Sequence, residues 1–158
     1  MILIIDEPWI QLHIDDRKTL INLLEIWIEQ HLKVKVKCRM SSTEVQPEGH
    51  DWHADNCKVL GTGYYLPYGW TEDWQQLKWV PNHMPWCFLS ASLLISDPTT
   101  FQGGQLQFWD SKEKCVKAFK SEVQNKIVLF TSGKENVHRV TPHFNGERSV
   151  HLFFFEKV

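Results

Sequence analysis

His53 and Asp55 stand two residues apart, so in an extended segment both side chains leave the same face and can reach one ion. Such a pair is common by chance, and its weight comes from His138 on a strand expected far downstream. Two imidazoles and one carboxylate are the donor set that holds non-haem Fe(II) on one triangular face, leaving three positions open for an oxidisable co-substrate and dioxygen. Arg148 is the fourth member. It is in phase with Val150, Leu152 and Phe154 and out of phase with Ser149, His151 and Phe153, so on a strand it turns inward with the first set. An inward guanidinium needs an anion, because leaving a buried charge unpaired costs roughly several kcal/mol. No carboxylate in the neighbouring predicted strands shares that phase, which makes a ligand carboxylate its natural partner.

The elements that must position these residues are mostly strands. Arg17 to Leu32 carries apolar residues at Leu20, Ile21, Leu23, Leu24, Ile26, Trp27 and Ile28 behind the capping candidates Asp15 and Asp16, and reads as a helix with a broad buried face. Residues 34–38, 87–95, 105–109, 114–119, 126–130, 136–140 and 148–155 read as strands, separated by turn residues such as Gly103-Gly104, Ser132-Gly133 and Asn145-Gly146. Many short strands behind one helix predict a mainly β sandwich, barrel or jelly roll with helical support. Were Asn145-Gly146 a two-residue hairpin turn, His138 would sit opposite Phe153 and face away from Arg148. The two must therefore lie in opposing sheets, facing one interior.

The order His53-x-Asp55, Gly103-Gly104-Gln105-Leu106-Gln107-Phe108, His138 and Arg148 resembles the iron(II)- and 2-oxoglutarate-dependent oxygenase superfamily, in its prolyl-4-hydroxylase-like branch, from about residue 50 to the C-terminus. That resemblance implies a double-stranded β-helix (jelly roll) with the N-terminal helix as support. It implies His53, Asp55 and His138 as iron ligands and catalytic centre. Arg148 would bind the distal carboxylate of 2-oxoglutarate, with Leu106 and Val140 lining the co-substrate pocket. Leu94 falls where many relatives carry a tyrosine that bonds 2-oxoglutarate, which shifts weight onto Arg148 and leaves Ser92 or a loop tyrosine as replacements. The implied cofactors are Fe(II), 2-oxoglutarate and O2, with ascorbate an optional reductant. The implied reaction is hydroxylation of an aliphatic C–H of an amino acid, peptidyl residue or small metabolite, with release of succinate and CO2. The alternatives are a 2-oxoglutarate-dependent desaturase or cyclase, or a non-catalytic jelly-roll binding module.

Composition bounds the rest. The 158 residues, 42% apolar and 23% charged, fit one globular domain over 1–158. A net charge of −2 offers no excess of Lys and Arg for a nucleic-acid backbone or an anionic membrane, so a small-molecule or peptidyl partner is expected. Phe154 also stands where a nucleobase-demethylating relative would have a second arginine. The opening MILIIDEPWIQLHI lacks a basic leader region and no apolar run is long enough for a membrane helix, so the expected compartment is the cytoplasm. Cys38, Cys57, Cys87 and Cys115 have no metal spacing and read as buried or free thiols. The aromatic content makes a homo-oligomer plausible.

Other residues draw plainer readings. His50 is off the His53 and Asp55 face. His143 and His151 read as surface or interface histidines, and His13, His31 and His83 carry no motif. Arg139 points away from the site, toward solvent or a salt bridge. Gly61-Thr62-Gly63 lacks the third glycine of a dinucleotide loop. The stretch from Gly61 to Trp86 holds Trp70, Trp74, Trp79 and Trp86 and all three tyrosines without periodicity; it reads as a lid, binding loop or insertion whose tryptophans mostly pack.

Overall fold

The computed structural model describes residues 1–66 and 74–158. In chain order its elements are β1 (Ile2–Ile5), α1 (Pro8–Leu12), α2 (Arg17–Leu32), β2 (Val36–Val45), β3 (His50–His53), β4 (Cys57–Val59), β5 (Trp79–Pro81), β6 (Cys87–Leu94), β7 (Gln102–Gly103), β8 (Leu106–Asp110), β9 (Cys115–Phe119), β10 (Ile127–Thr131), β11 (His138–Val140), β12 (His143–Phe144) and β13 (Ser149–Lys157). Five strands form one antiparallel sheet in the order β1-β10-β6-β13-β2, and four form a second in the order β3-β11-β8-β9. Two small two-stranded pairs, β12-β7 and β4-β5, complete the described strands. This is the expected mainly β jelly roll with an N-terminal supporting helix.

α2 spans the predicted residues. Asp16 caps it: one carboxylate oxygen accepts from the Thr19 backbone N–H at 3.1 Å and the other from the Thr19 hydroxyl at 2.7 Å. Lys33 ends it in the left-handed conformation, φ 57°. Leu20, Leu24 and Ile28 are fully buried on one stripe, against Leu89, Ala91 and Leu93 of β6, Ile127 and Leu129 of β10, and Phe153 and Phe155 of β13. The large sheet is thereby covered on both sides. Ile127 and Leu129 meet the helix, while Val128 and Phe130 meet Leu106 and Phe108 of the second sheet, which is why Ile127 to Phe130 reads as continuous apolar sequence.

β11 and β13 lie in opposing sheets, as the hairpin argument requires. Asn145 and Gly146, both at positive φ, sit in the connection between β12 and β13. β2 runs well past the predicted 34–38 segment, pairing with β13 from Lys157↔Val36 to Ser149↔Val45. The aromatic stretch divides around residues 67–73, so Trp70 lies outside the described residues. Trp74 is buried against Trp52 and Trp109 at ring separations of 5.4 and 5.8 Å, as a packing residue should be.

Candidate active site

β3 and β11 are antiparallel neighbours in the smaller sheet, with His53 directly paired to His138. Asp55 follows β3 by two residues in a turn bonded on both sides: its backbone N–H donates to the Ser132 carbonyl, and its own carbonyl accepts from the Asn82 side-chain amide at 2.9 Å. The pairing and the turn deliver both imidazoles to one carboxylate oxygen. His53 Nε2 and His138 Nε2 each lie 3.3 Å from Asp55 Oδ1, and the three donor atoms fall within 4.8 Å of one another.

Both rings are oriented from behind. His53 Nδ1 is 2.6 Å from the Asp51 carbonyl and His138 Nδ1 is 2.8 Å from the Asn136 carbonyl, so each Nδ1–H donates to backbone and each Nε2 presents a lone pair forward. Asn136 is itself fixed by side-chain amide bonds to the carbonyls of Met1 and Thr131. All three donors are buried. Burial alone would raise the Asp55 carboxyl, but the adjoining imidazoles, His138 foremost, hold it well below the ordinary carboxylate range. Burial pushes His53 down, and His138 beside it adds to the effect. On His138 burial acts the same way, yet the Asp55 carboxylate outweighs it and raises the imidazole. An ionised carboxylate flanked by two forward-facing imidazoles, open on one side, is chemically a divalent-metal donor set.

That open side is a cavity of about 350 Å³ between the two sheets. Arg148, Val150, Leu152 and Phe154 all face it, as their alternation predicts, while His151, Phe153 and Phe155 face the other way. Leu106 and Val140, register partners on β8 and β11, line the wall beside the histidines. Arg148 makes no hydrogen bond or ion pair among the described residues, and burial pushes its guanidinium down to about 10. Gly104, at φ +65°, leaves room for its stem: a Cβ there would come within 2.8 Å of Arg148 Cδ and of Phe101 Cε2.

The structure corrects several readings. A carboxylate does share the inward phase beside β13, because the longer β2 carries Glu44 opposite Val150, although it forms no ion pair with Arg148. Leu94 packs with Phe101 and Val150, and both proposed replacements, Ser92 and the loop tyrosine Tyr64, line the cavity. His50 also lines it, Nδ1 3.0 Å from the Tyr65 hydroxyl, and so does His83. His143 and His151 are buried rather than on the surface. His151 bridges Thr43 and the Ile14 carbonyl, whereas the His143 Nδ1 has no partner among the described residues. Arg139 does turn from the site, but it lies over the Trp52 ring at 4.6 Å and donates to Gln107 rather than reaching a salt bridge.

Comparison with known proteins places these features in context. The profile described as the 2OG-Fe(II) oxygenase superfamily matches residues 39–156. Among solved structures, a Pseudomonas putida prolyl-4-hydroxylase superposes with a TM-score of 0.55 at 19% identity, covering 90% of this chain and 64% of that one. An oxidoreductase of the 2OG-Fe(II) oxygenase family from Burkholderia pseudomallei superposes with a TM-score of 0.56 at 12% identity, covering 88% and 56%. The chain thus spans less than two thirds of either neighbour, and at these identities the likeness carries the fold. No curated protein matches it.

Proposed function

The chain belongs to the 2OG-Fe(II) oxygenase superfamily, and from that premise we propose that it hydroxylates an aliphatic C–H bond of an amino acid, a peptidyl residue or a related small metabolite, converting 2-oxoglutarate and O2 to CO2 and succinate. The supporting observation is the convergence, in one cavity, of a three-donor cluster on Asp55 and the Arg148 guanidinium, which has no partner among the described residues.

His53, Asp55 and His138 would hold Fe(II), which when bound supplies activation of O2 coupled to oxidative decarboxylation of the co-substrate. The protein's part is orientation and exclusion. The Asp51 and Asn136 carbonyls keep both histidines in the tautomer that offers Nε2. Arg148 supplies a planar fork for the distal carboxylate, and Leu106 and Val140 exclude water along the co-substrate's aliphatic stem. Ser92 and Tyr64 stand on the same wall as hydroxyl donors. The donor set and the fork both fit the groups the family employs.

The direct test is succinate formation by the full chain given Fe(II), 2-oxoglutarate and O2 without further substrate. Slow turnover that stops with a chelator and returns with added Fe(II) is expected. A binding module would make no succinate under any metal condition, and that outcome rejects the enzyme.

Gly104→Ala tests the cradle under Arg148. A side chain at φ +65° is strained by about 1–3 kcal/mol, and the new methyl displaces the arginine stem. Lower urea stability and about tenfold weaker 2-oxoglutarate binding by calorimetry are expected, tenfold being about 1.4 kcal/mol. Unchanged co-substrate affinity in a folded variant would show that Gly104 does not set the guanidinium's position.

A further inference from the structure

The face that β2 turns to the cavity has no part in the chemistry above. Met40, Ser42 and Glu44 point inward at alternate positions, in register with Phe154, Leu152 and Val150 of β13. Glu44 accepts one side-chain hydrogen bond, from the Gln46 amide at 3.0 Å, and pairs with no cation among the described residues. The cation on the same wall, Arg148, is not its partner.

The loop after β4 brings a tyrosine to the same cavity. Tyr64 lines the cavity, and Tyr65 packs edge-on against it with centroids 5.0 Å apart. The neighbouring wall is aliphatic and thioether: Met40, Met84 and Leu152.

A half-buried carboxylate that lines a cavity and lacks a cation among the described residues attracts a cationic ligand through a charge-assisted hydrogen bond. An anion is repelled there, and a neutral ligand leaves Glu44 desolvated without compensation. Building on the oxygenase reading of this cavity, we propose that the prime substrate carries an ammonium group on an aliphatic body, and that Glu44 is the residue that selects it. The cavity lies near the lower end of the roughly 300–1,000 Å³ of small-molecule sites and also admits the co-substrate, so a compact amine fits better than a bulky one.

The test reads binding, not turnover. The full chain, supplied with redox-inert Zn(II) and 2-oxoglutarate, is titrated by NMR with n-butylammonium and with its neutral isostere 1-butanol. The amine should bind on the order of tenfold more tightly, about 1.4 kcal/mol. Glu44→Gln should bring the ratio to about one, and Glu44→Asp, which keeps the charge, should retain part of it. Equal binding of the two probes by the unaltered protein, or a ratio that survives Glu44→Gln, overturns the proposal. Failure of the oxygenase reading is distinguishable, since it appears as missing iron-dependent succinate while the probe ratio still reports on Glu44.

Discussion

His138→Ala is expected to lower succinate formation on the order of a thousandfold, about 4 kcal/mol of barrier. Two effects combine. The donor cluster drops from three atoms to two, and loss even of an outer hydrogen-bond partner of a metal ligand typically weakens affinity about 10–100-fold, so loss of a ligand should exceed that. Asp55 also loses the imidazole that does most to hold its buried carboxyl ionised, and a protonated carboxyl is a poor ligand. Because His138 is packed between Phe108 and Phe130, the variant needs a structural control. Circular dichroism should stay native while the absorption of added Co(II) loses its protein-bound bands. A native fold with undiminished turnover would remove His138 from the centre.

How much of this could be read from the sequence depended on what each strand faces. Arg148, Val150, Leu152 and Phe154 were legible because one residue phase meets one interior. α2 was legible because its apolar stripe and the Asp16 cap are both local. The second half of β2 was not. Its inward residues Met40, Ser42 and Glu44 face an open cavity rather than a core, so the apolar alternation that marks a buried strand is missing, and nothing in the sequence pattern singles out Glu44. His151 is buried where its phase predicts surface, for the opposite reason. Its side of β13 looks outward in a two-layer sandwich, but the α1 and α2 segment adds a third layer and the Ile14 carbonyl closes over it. Tyr64 and His83 reach the cavity from loops, where no periodicity announces direction.

Family membership supplies the chemistry in outline, and the local geometry narrows it. The buried donors are held by backbone carbonyls at Asp51 and Asn136 and by the turn that Ser132 and Asn82 pin, all features of main-chain path rather than of motif. The cluster is therefore preorganised before any ligand arrives. Among the described residues the cavity leaves two charges of opposite sign without a counter-ion, Arg148 just before β13 and Glu44 on the neighbouring β2, and they are not paired with each other. That separation is why one is read as a co-substrate anchor and the other as a substrate selector.

Arg148→Ala separates binding from folding most sharply. In the free protein the guanidinium is partly buried and has no partner among the described residues, and burial accounts for its downward shift to about 10. Removing it should leave urea stability unchanged or slightly higher, since an uncompensated desolvation disappears with it. Binding of 2-oxoglutarate should fall on the order of a hundredfold, about 2.7 kcal/mol, because the distal carboxylate would enter an apolar pocket without its counter-charge. Arg148→Lys restores charge but not the two-pronged geometry and should recover only part of the loss. Metal affinity, read through Co(II) absorption, should be unaffected in both variants, because the three donor atoms come from His53, Asp55 and His138. If stability, metal binding and co-substrate binding decline together, the arginine is a structural member of the sandwich and the anion it awaits is not 2-oxoglutarate.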